Sequence, residues 1–455
     1  MTQPVTLPLW ALLLILAFAA VTFASHFLFP SVRWFFRRRA ERAVAELNRR
    51  LHTPIQPFKL ARRHDMVMRL SYDSEVMEAV QIEARRERIP ENVAFERARR
   101  YAREIVPAFS AAAYFGFAIR VARWLSTSLY DVRLQVVDED ALKAIPADAT
   151  VVFVMNHRSN MDYVLVTYLV AERSALSYAV GEWARVWPLR ALVRAMGAYF
   201  IRRKSRGQLY RRVLARYVQM AAEAGVTQAL FPEGGLSLDG RLGSPKLGLL
   251  NYIREGAETG GRAAVFVPVA LNYDRVLEDR VLLAASASGE RRFRARIPTV
   301  LGFALKMLRL RLRGRFRRFG RAGVTMGRPL ALADAPRRTE DLAAELMARI
   351  EEAMPRLPLP LVARALTEAD GPLSRVALTA RVARWLAEAG ADDPAEAVVA
   401  EALAIARLRG FVREGPDGFV PEPGEAPLLR YYAASVTPQR RPSLPDNPRP
   451  AIGAT

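Results

Sequence analysis

The stretch Val151-Val152-Phe153-Val154-Met155-Asn156-His157-Arg158-Ser159-Asn160-Met161-Asp162 joins an apolar, largely β-branched run to a polar turn. Such a run predicts a buried strand that ends near Met155. His157 therefore follows the carboxyl end of a strand, where α/β sheets place their functional groups. Asp162 comes five residues later and can fold back onto the imidazole. The pair indicates a His-Asp base without a Ser or Cys nucleophile, so that a substrate hydroxyl makes the attack.

Positive charge is the main feature of the composition. The 455 residues include 68 Lys and Arg against 46 Asp and Glu, a net charge of +22, and only five of the cations are Lys. Arg favours bidentate phosphate contacts, so phosphorylated substrates, nucleic acid and anionic lipid are candidate partners. Enrichment of Arg by a GC-rich genome is the alternative source of this charge. The absence of Cys excludes thiol catalysis, disulfides and thiolate metal sites.

An uncharged apolar segment lies near the start of the chain. Leu7 to Phe29 holds 23 residues without Asp, Glu, Lys or Arg, and at ~1.5 Å per residue such a helix spans ~30 Å of hydrocarbon. Arginines follow at positions 33, 37, 38 and 39, and the positive flank of a span stays in the cytoplasm. We therefore predict a transmembrane anchor over residues 1–36, with the catalytic body on the cytoplasmic face of a bacterial inner membrane.

Strand and helix patterns alternate in the middle of the chain. Strands are predicted at 132–137, 151–155, 226–231 and 264–271, with helices such as 205–224 between them. This alternation predicts an α/β fold in which helices sandwich a largely buried sheet. The pattern places the α/β domain at residues 131–335, after an N-terminal helical region at 37–130.

Cationic and proline-rich segments organise the rest of the chain. Gly302 to Arg321 reads as an amphipathic cationic helix for anionic lipid or an acidic partner, with a solvated helical face as the alternative. Residues 336–436 predict a mostly helical C-terminal module whose hairpin near 410–420 resembles a winged helix. The Pro-rich residues 437–455 predict a disordered tail.

Two adjacent arginines follow a second short apolar run. In Gly197-Ala198-Tyr199-Phe200-Ile201-Arg202-Arg203 the run delivers two guanidinium groups together. Arg presents a planar fork of donors, which suits a phosphate group. An ordinary surface Arg pair is the alternative interpretation.

A third motif follows the strand predicted at 226–231. Glu233 stands at the end of that strand and is positioned to hold a substrate hydroxyl, and Gly234 begins a Gly pair that allows close backbone approach. Arg241 and Lys246 follow within reach of the same turn. A structural turn with a solvated Glu is the alternative. Pro268, within the strand predicted at 264–271, marks an edge, a bulge or a strand end.

These four elements, in this order, resemble the four sequence blocks of the glycerolipid acyltransferase superfamily, and its glycerol-3-phosphate acyltransferase branch in particular. By motif the resemblance covers roughly residues 130–275. It extends to the helical region before them and to Leu428-Leu429-Arg430-Tyr431-Tyr432, which looks like the end of bacterial members. It implies an acyltransferase-type sheet and transfer of a fatty acyl group from acyl-CoA or acyl-carrier protein to glycerol 3-phosphate, the first step of phospholipid synthesis. It implies membrane lipid as a further partner, no metal or organic cofactor, and no nucleic acid.

The resemblance also implies roles for individual residues. His157 matches the general base and Asp162 its orienting carboxylate. The substrate-binding positions that match the later blocks are Arg202, Arg203, Glu233, Gly234 and Pro268. The third block usually carries Arg where this chain has Leu236 and Leu238, a departure for which Arg241 and Lys246 compensate.

Three questions stay open from the sequence. Lysophosphatidic acid or dihydroxyacetone phosphate is an alternative acceptor, because two phosphate ligands are missing from the third block. A membrane-tethered nucleic-acid-binding protein is the alternative from another class. The oxyanion donor is a backbone N–H near the turn Asn156–Ser159, as a hypothesis.

Overall fold

Helices precede the sheet in the computed structural model. The structure describes residues 8–170, 174–181, 189–202, 207–288, 302, 307, 309–314 and 316–438. A π-helical segment at Ala112–Ala118 runs directly into the last helix of this first part. The helices are α1 (Leu9–Arg50), α2 (Pro57–Leu60), α3 (Arg63–Ser71), α4 (Ser74–Glu87), α5 (Glu91–Ile105) and α6 (Ile119–Leu129).

A mixed sheet forms the centre of the described chain. Its strands are β1 (Asp131–Val136), β2 (Thr150–Met155), β3 (Ser177–Val180), β4 (Tyr199–Phe200), β5 (Gln228–Leu230), β6 (Ala264–Tyr273), β7 (Arg321–Met326) and β8 (Leu330–Ala331). Their order is β1-β7-β6-β2-β5-β3-β4, and β8 also pairs with β6. Strands β6, β2, β5, β3 and β4 run parallel, so their carboxyl ends share one edge.

Helices cover both faces of this sheet. Those between the strands are α7 (Glu139–Lys143), α8 (Met161–Val170), α9 (Leu189–Ala195), α10 (Gln208–Glu223), α11 (Leu247–Gly260) and α12 (Asp279–Ser288). Both central strands, β2 and β6, are buried along their whole length. One apolar core packs on one face with residues from the C-terminal helices, and a second packs on the other face with α3, α4, α5 and α10.

The C-terminal part contains the predicted helices and hairpin. The helices are α13 (Thr339–Glu352), α14 (Pro358–Thr367), α15 (Arg375–Glu388), α16 (Ala395–Leu408) and α17 (Ala426–Ala434). Strands β9 (Val412–Gly415) and β10 (Gly418–Pro421) pair antiparallel. The tail predicted to be disordered lies outside the described residues from position 439 onward.

The predicted transmembrane anchor is contradicted. No helix in the described part of the chain is long and apolar enough to cross a membrane. The run belongs to α1, which continues unbroken to Arg50. The prediction of an N-terminal span over residues 1–36 is therefore wrong for the described residues, and the membrane location derived from it has no support in the structure.

The cationic helix predicted at 302–321 does not extend to its predicted end. Residues 316–320 have no regular structure, and Arg321 begins β7. The Arg321 guanidinium bonds Glu401 and Asp393 of the C-terminal part, so this arginine is an internal ion-pair partner. Most of residues 289–315 lie outside the described part of the chain.

Candidate active site

His157 in the turn after β2 and Asp162 in the first turn of α8 face each other. The imidazole Nδ1 lies 2.9 Å from Asp162 Oδ2. Exposure is 2% for His157 and 0% for Asp162. The sheet places this turn at the shared carboxyl edge, so the predicted proximity of the two side chains is observed.

Asp162 accepts hydrogen bonds from four donors. Its Oδ2 also accepts the backbone N–H groups of Arg158 at 2.7 Å and Ser159 at 3.0 Å. Its Oδ1 accepts the hydroxyl of Tyr273 at 2.6 Å. Burial and the Asp162 charge raise the pKa of Tyr273 well above its ordinary value, which keeps this donor protonated. Because Asp162 accepts only, we assign the proton of neutral His157 to Nδ1, which leaves Nε2 free to act as a base.

Carboxylate oxygens accept hydrogen bonds from the backbone N–H groups of the turn after β2. His157 N–H donates to Glu233 Oε1 at 2.8 Å, and Asn160 N–H donates to Glu278 Oε1 at 3.3 Å. The two N–H groups between them donate to Asp162, as described above. The backbone N–H groups of residues 157–160 are therefore all engaged by carboxylates. The oxyanion hypothesis at Asn156–Ser159 is therefore wrong for the N–H groups of residues 157–159.

Glu233 acts on the backbone of the site. Its second oxygen accepts Gly243 N–H at 2.8 Å, so both oxygens bond backbone amides. Burial raises the pKa of Glu233 to about 7. The carboxylate thus ties the loop after β5 to the turn that holds His157, whereas the sequence suggested a bond to a substrate hydroxyl.

We expect Glu233→Gln to alter how stability depends on pH. The folded-state pKa of Glu233 lies above the ordinary value of 4.5, so its contribution to the free energy of unfolding is full below that ordinary value and lost as pH rises through about 7. The change is on the order of 3 kcal/mol. Thermal unfolding from about pH 5 to pH 8 should show the wild-type Tm falling relative to that of the variant. A constant difference between the two would contradict the burial effect.

Two aromatic rings pack against the imidazole of His157. The Phe231 ring stacks on His157 with centroids 4.1 Å apart, and the Tyr163 ring meets it edge-on at 5.3 Å. Tyr163 and Phe231 contact each other at 4.9 Å. These apolar faces leave the Nδ1 side to Asp162 and exclude water from much of the ring.

Lys246 lies beside the glycine turn after β5. Gly234 has a φ of 65°, and a Cβ there would lie 2.8 Å from Cδ of Lys246. Glycine is needed for this left-handed conformation and close approach. Lys246 is exposed and so is Arg241, whose backbone N–H bonds Asp239. Leu236 and Leu238 pack against the apolar core, so the family's two arginine positions contribute no cation here.

Arg202 lies away from His157 and Asp162. It follows β4, three strands from β2, or about 14 Å along the sheet edge. Its Nε and Nη2 donate to the two oxygens of Glu104 at 2.8 and 2.6 Å. Tyr101 and Tyr210 lie within 5.7 Å of the guanidinium. The predicted phosphate ligand Arg202 is thus held by an ion pair, and Arg203 lies outside the described residues.

Pro268 lies in the interior of β6, opposite Val154 of β2. On its other side, β8 pairs with residues 265–266 and β7 with residues 269–273. The Pro268 carbonyl accepts Gly327 N–H at 2.8 Å between these partners. A residue without an N–H is tolerated at such a break in the ladder, so Pro268 marks the point where β6 changes partner.

Sequence reasoning missed Tyr273, Glu278 and Glu104. Tyr273 ends β6 at the same edge of the sheet as His157, and Glu278 follows five residues later. Glu278 also accepts the Ser159 hydroxyl at 2.8 Å and the Asn160 amide at 3.0 Å. The signal for Tyr273 and Glu278 was the presence of polar residues directly after the strand predicted at 264–271. Nothing in the local sequence around Glu104 pointed to Arg202.

The chain matches known acyltransferases over its sheet domain. The family model described as Acyltransferase matches residues 133–272. Glycerol-3-phosphate acyltransferase of Pseudomonas entomophila (strain L48) is 32% identical over 304 residues, which cover 65% of this chain and 35% of that protein. The enzyme of the same name from Pasteurella multocida (strain Pm70) is 29% identical over 61% of this chain and 33% of its own length.

The chain spans about a third of the length of these curated relatives. Among solved structures, the 1-acyl-sn-glycerophosphate (LPA) acyltransferase from Thermotoga maritima aligns with a TM-score of 0.32 and 18% identity. That alignment covers 52% of this chain and 75% of that one. The sequence matches nevertheless confirm the resemblance drawn from the four blocks. The chain is similar in sequence to glycerol-3-phosphate acyltransferases, and the Acyltransferase family model matches its residues 133–272.

Proposed function

We propose that this protein transfers a fatty acyl group from a thioester donor to the free hydroxyl of glycerol 3-phosphate. The observation that carries the proposal is the buried His157–Asp162 pair at 2.9 Å. The one hydroxyl in the turn, that of Ser159, donates to Glu278 at 2.8 Å. A hydroxyl engaged in this way is not a nucleophile for His157, which favours attack by the substrate's own hydroxyl.

The acyl group passes from the thioester to the acceptor hydroxyl in one direct step. Nε2 of His157 takes the proton from the acceptor hydroxyl as its oxygen attacks the thioester carbonyl. Asp162 accepts the Nδ1–H bond and stabilises the imidazolium that forms. The C–O bond of the new ester is retained while the C–S bond of the thioester breaks. The imidazolium then gives its proton to the departing thiolate. The products are the acyl ester and the free thiol of the donor.

The acceptor phosphate binds to cations on the loops next to the turn. Lys246 is the best placed of the predicted ligands. Its side chain lies against Gly234, and the preceding residue, Glu233, accepts the His157 N–H. Arg202 lies farther along the edge than Lys246 and is paired with Glu104, so its contribution to phosphate binding is secondary to that of Lys246. Glu104 takes its Nε and one Nη2 position and leaves Nη1 for an anion.

We expect Lys246→Met to raise KM for glycerol 3-phosphate about 10-fold or more, with kcat changed less than about threefold. A single charged contact to phosphate is worth ~1.5–3 kcal/mol, and it acts on binding more than on the proton transfer. Steady-state kinetics with radiolabelled acceptor measures both constants. Glycerol, which lacks the phosphate, is the matched acceptor and should react equally with both proteins. An equal loss with glycerol would assign Lys246 to another task.

One assay tests the proposal and its close alternatives. Purified protein is incubated with acyl-CoA or acyl-carrier protein as donor, and with glycerol 3-phosphate, lysophosphatidic acid or dihydroxyacetone phosphate as acceptor. We expect glycerol 3-phosphate to be acylated fastest, and His157→Ala to abolish the reaction. A preference for lysophosphatidic acid would replace the acceptor, and no transfer with any pair would overturn the proposal.

A further inference from the structure

The C-terminal helix α17 packs on both loops that hold the catalytic turn. We infer that Tyr431 and Tyr432 on this helix, together with Arg158 in the turn, are positioning residues for His157. This inference rests on the proposed function and extends it. The acyltransferase match ends at residue 272, whereas α17 begins at Ala426.

Arg158 connects the turn to α17. Its guanidinium is 2% exposed, Nη1 donates to the Gly240 carbonyl at 2.6 Å, and the cation lies 5.2 Å from the Tyr431 ring centroid. Within the described residues, its Nε and Nη2 have no hydrogen-bond partner. A buried cation needs compensation, and the Tyr431 ring supplies it as a cation–π contact.

The loop after β5 touches the same helix directly. Gly240 has a φ of 85°, and a Cβ there would overlap the carbonyl oxygen of Tyr431. The Ser237 hydroxyl accepts Gly240 N–H at 3.1 Å, and Ser237 N–H donates to the His157 carbonyl at 2.9 Å. Contacts therefore run from Tyr431 through Gly240 and Ser237 to the backbone of His157.

Tyr432 holds the second loop. Its hydroxyl donates to Asp279 Oδ2 at 2.6 Å and accepts Val276 N–H at 3.1 Å and Arg409 Nη1–H at 3.0 Å. Glu278 lies between Val276 and Asp279 in the chain and binds the catalytic turn at Ser159. The helix thus fixes both loops from one side, and the position of His157 depends on a helix outside the acyltransferase domain.

Tyr431 allows a sharp test because its ring and its hydroxyl can be separated. The Tyr431 hydroxyl is buried and has no hydrogen-bond partner in the described structure. Tyr431→Phe removes only this oxygen and keeps the ring over Arg158, so we expect kcat within about twofold of wild type. Tyr431→Leu removes the ring, and we expect kcat to fall about 10- to 100-fold, with KM for glycerol 3-phosphate within about threefold, because small displacements of a base act on the chemical step.

Trp385→Leu is the control for lost stability. Trp385 is buried in α15 and lies under the Arg364 guanidinium at 4.1 Å, so it is also an aromatic partner of an arginine in the C-terminal part. It is absent from the contacts around His157 described above. We expect this variant to lower Tm as Tyr431→Leu does, while kcat stays within about twofold of wild type.

Hydrogen exchange of residues 156–162 supplies a readout independent of turnover. The bonds of the turn predict slow exchange in wild type and Tyr431→Phe, and faster exchange in Tyr431→Leu alone. Unchanged exchange and kcat in Tyr431→Leu, or an equal loss in Trp385→Leu, would overturn the inference. An inactive wild type whose turn still loosens in Tyr431→Leu would instead overturn the proposed function and leave the positioning role intact.

Discussion

His157→Asn should lower kcat/KM for acyl transfer at least ~10³-fold while the folded structure remains. The asparagine amide can donate to Asp162 as Nδ1–H does now at 2.9 Å. It offers no group in place of the basic Nε2. The substitution therefore removes the proton acceptor and keeps the hydrogen bond that organises the turn.

Thermal unfolding and a second histidine make this result specific. The variant loses part of the stacking on Phe231 at 4.1 Å, so we expect its Tm to fall by a few degrees at most. His64→Asn, at an exposed position in α3, should leave both kcat/KM and Tm unchanged. Activity of His157→Asn within tenfold of wild type would show that His157 is not the base.

The central sheet was predictable because its strands are apolar runs that end in polar motifs. The runs at 151–155 and 264–271 correspond to β2 and β6, and both strands are buried throughout. Short strands escaped prediction, since the two residues of β4 carry too little periodicity to show a pattern. The end of the cationic segment was also missed, because basic residues at 311–318 hid the start of β7 at Arg321.

The proximity of His157 and Asp162 was predictable, and the bonds that support the pair were not. His157 and Asp162 lie within one turn, so their spacing in sequence determines whether they meet. Glu233 and Glu278 reach the same turn from other strands, 76 and about 120 residues away in sequence. Glu104 reaches Arg202 from a helix before the sheet. Only the three-dimensional arrangement shows that these carboxylates bind the protein itself, whereas sequence alone suggested substrate contacts for Glu233.

Asp162→Asn and Asp162→Ala should separate the electrostatic role of this residue from its structural role. The carboxylate accepts His157 Nδ1–H, two backbone N–H groups and the Tyr273 hydroxyl. An asparagine can place its oxygen towards the first three donors and its amide towards Tyr273, whose hydroxyl then turns to accept. This variant retains the hydrogen bonds and loses only the negative charge.

We therefore expect Asp162→Asn to unfold within a few degrees of the wild-type Tm and to lose about 10²- to 10⁴-fold in kcat, because the imidazolium formed at His157 loses its counter-ion. Asp162→Ala leaves four donors without an acceptor in a site with 0% exposure. Each unsatisfied buried group costs ~1–3 kcal/mol, so the alanine variant should be strongly destabilised as well as inactive. Circular-dichroism melts and kcat on the same preparations measure both effects. An asparagine variant with kcat within threefold of wild type would remove the charge of Asp162 from the mechanism, and an alanine variant with an unchanged Tm would remove its structural role.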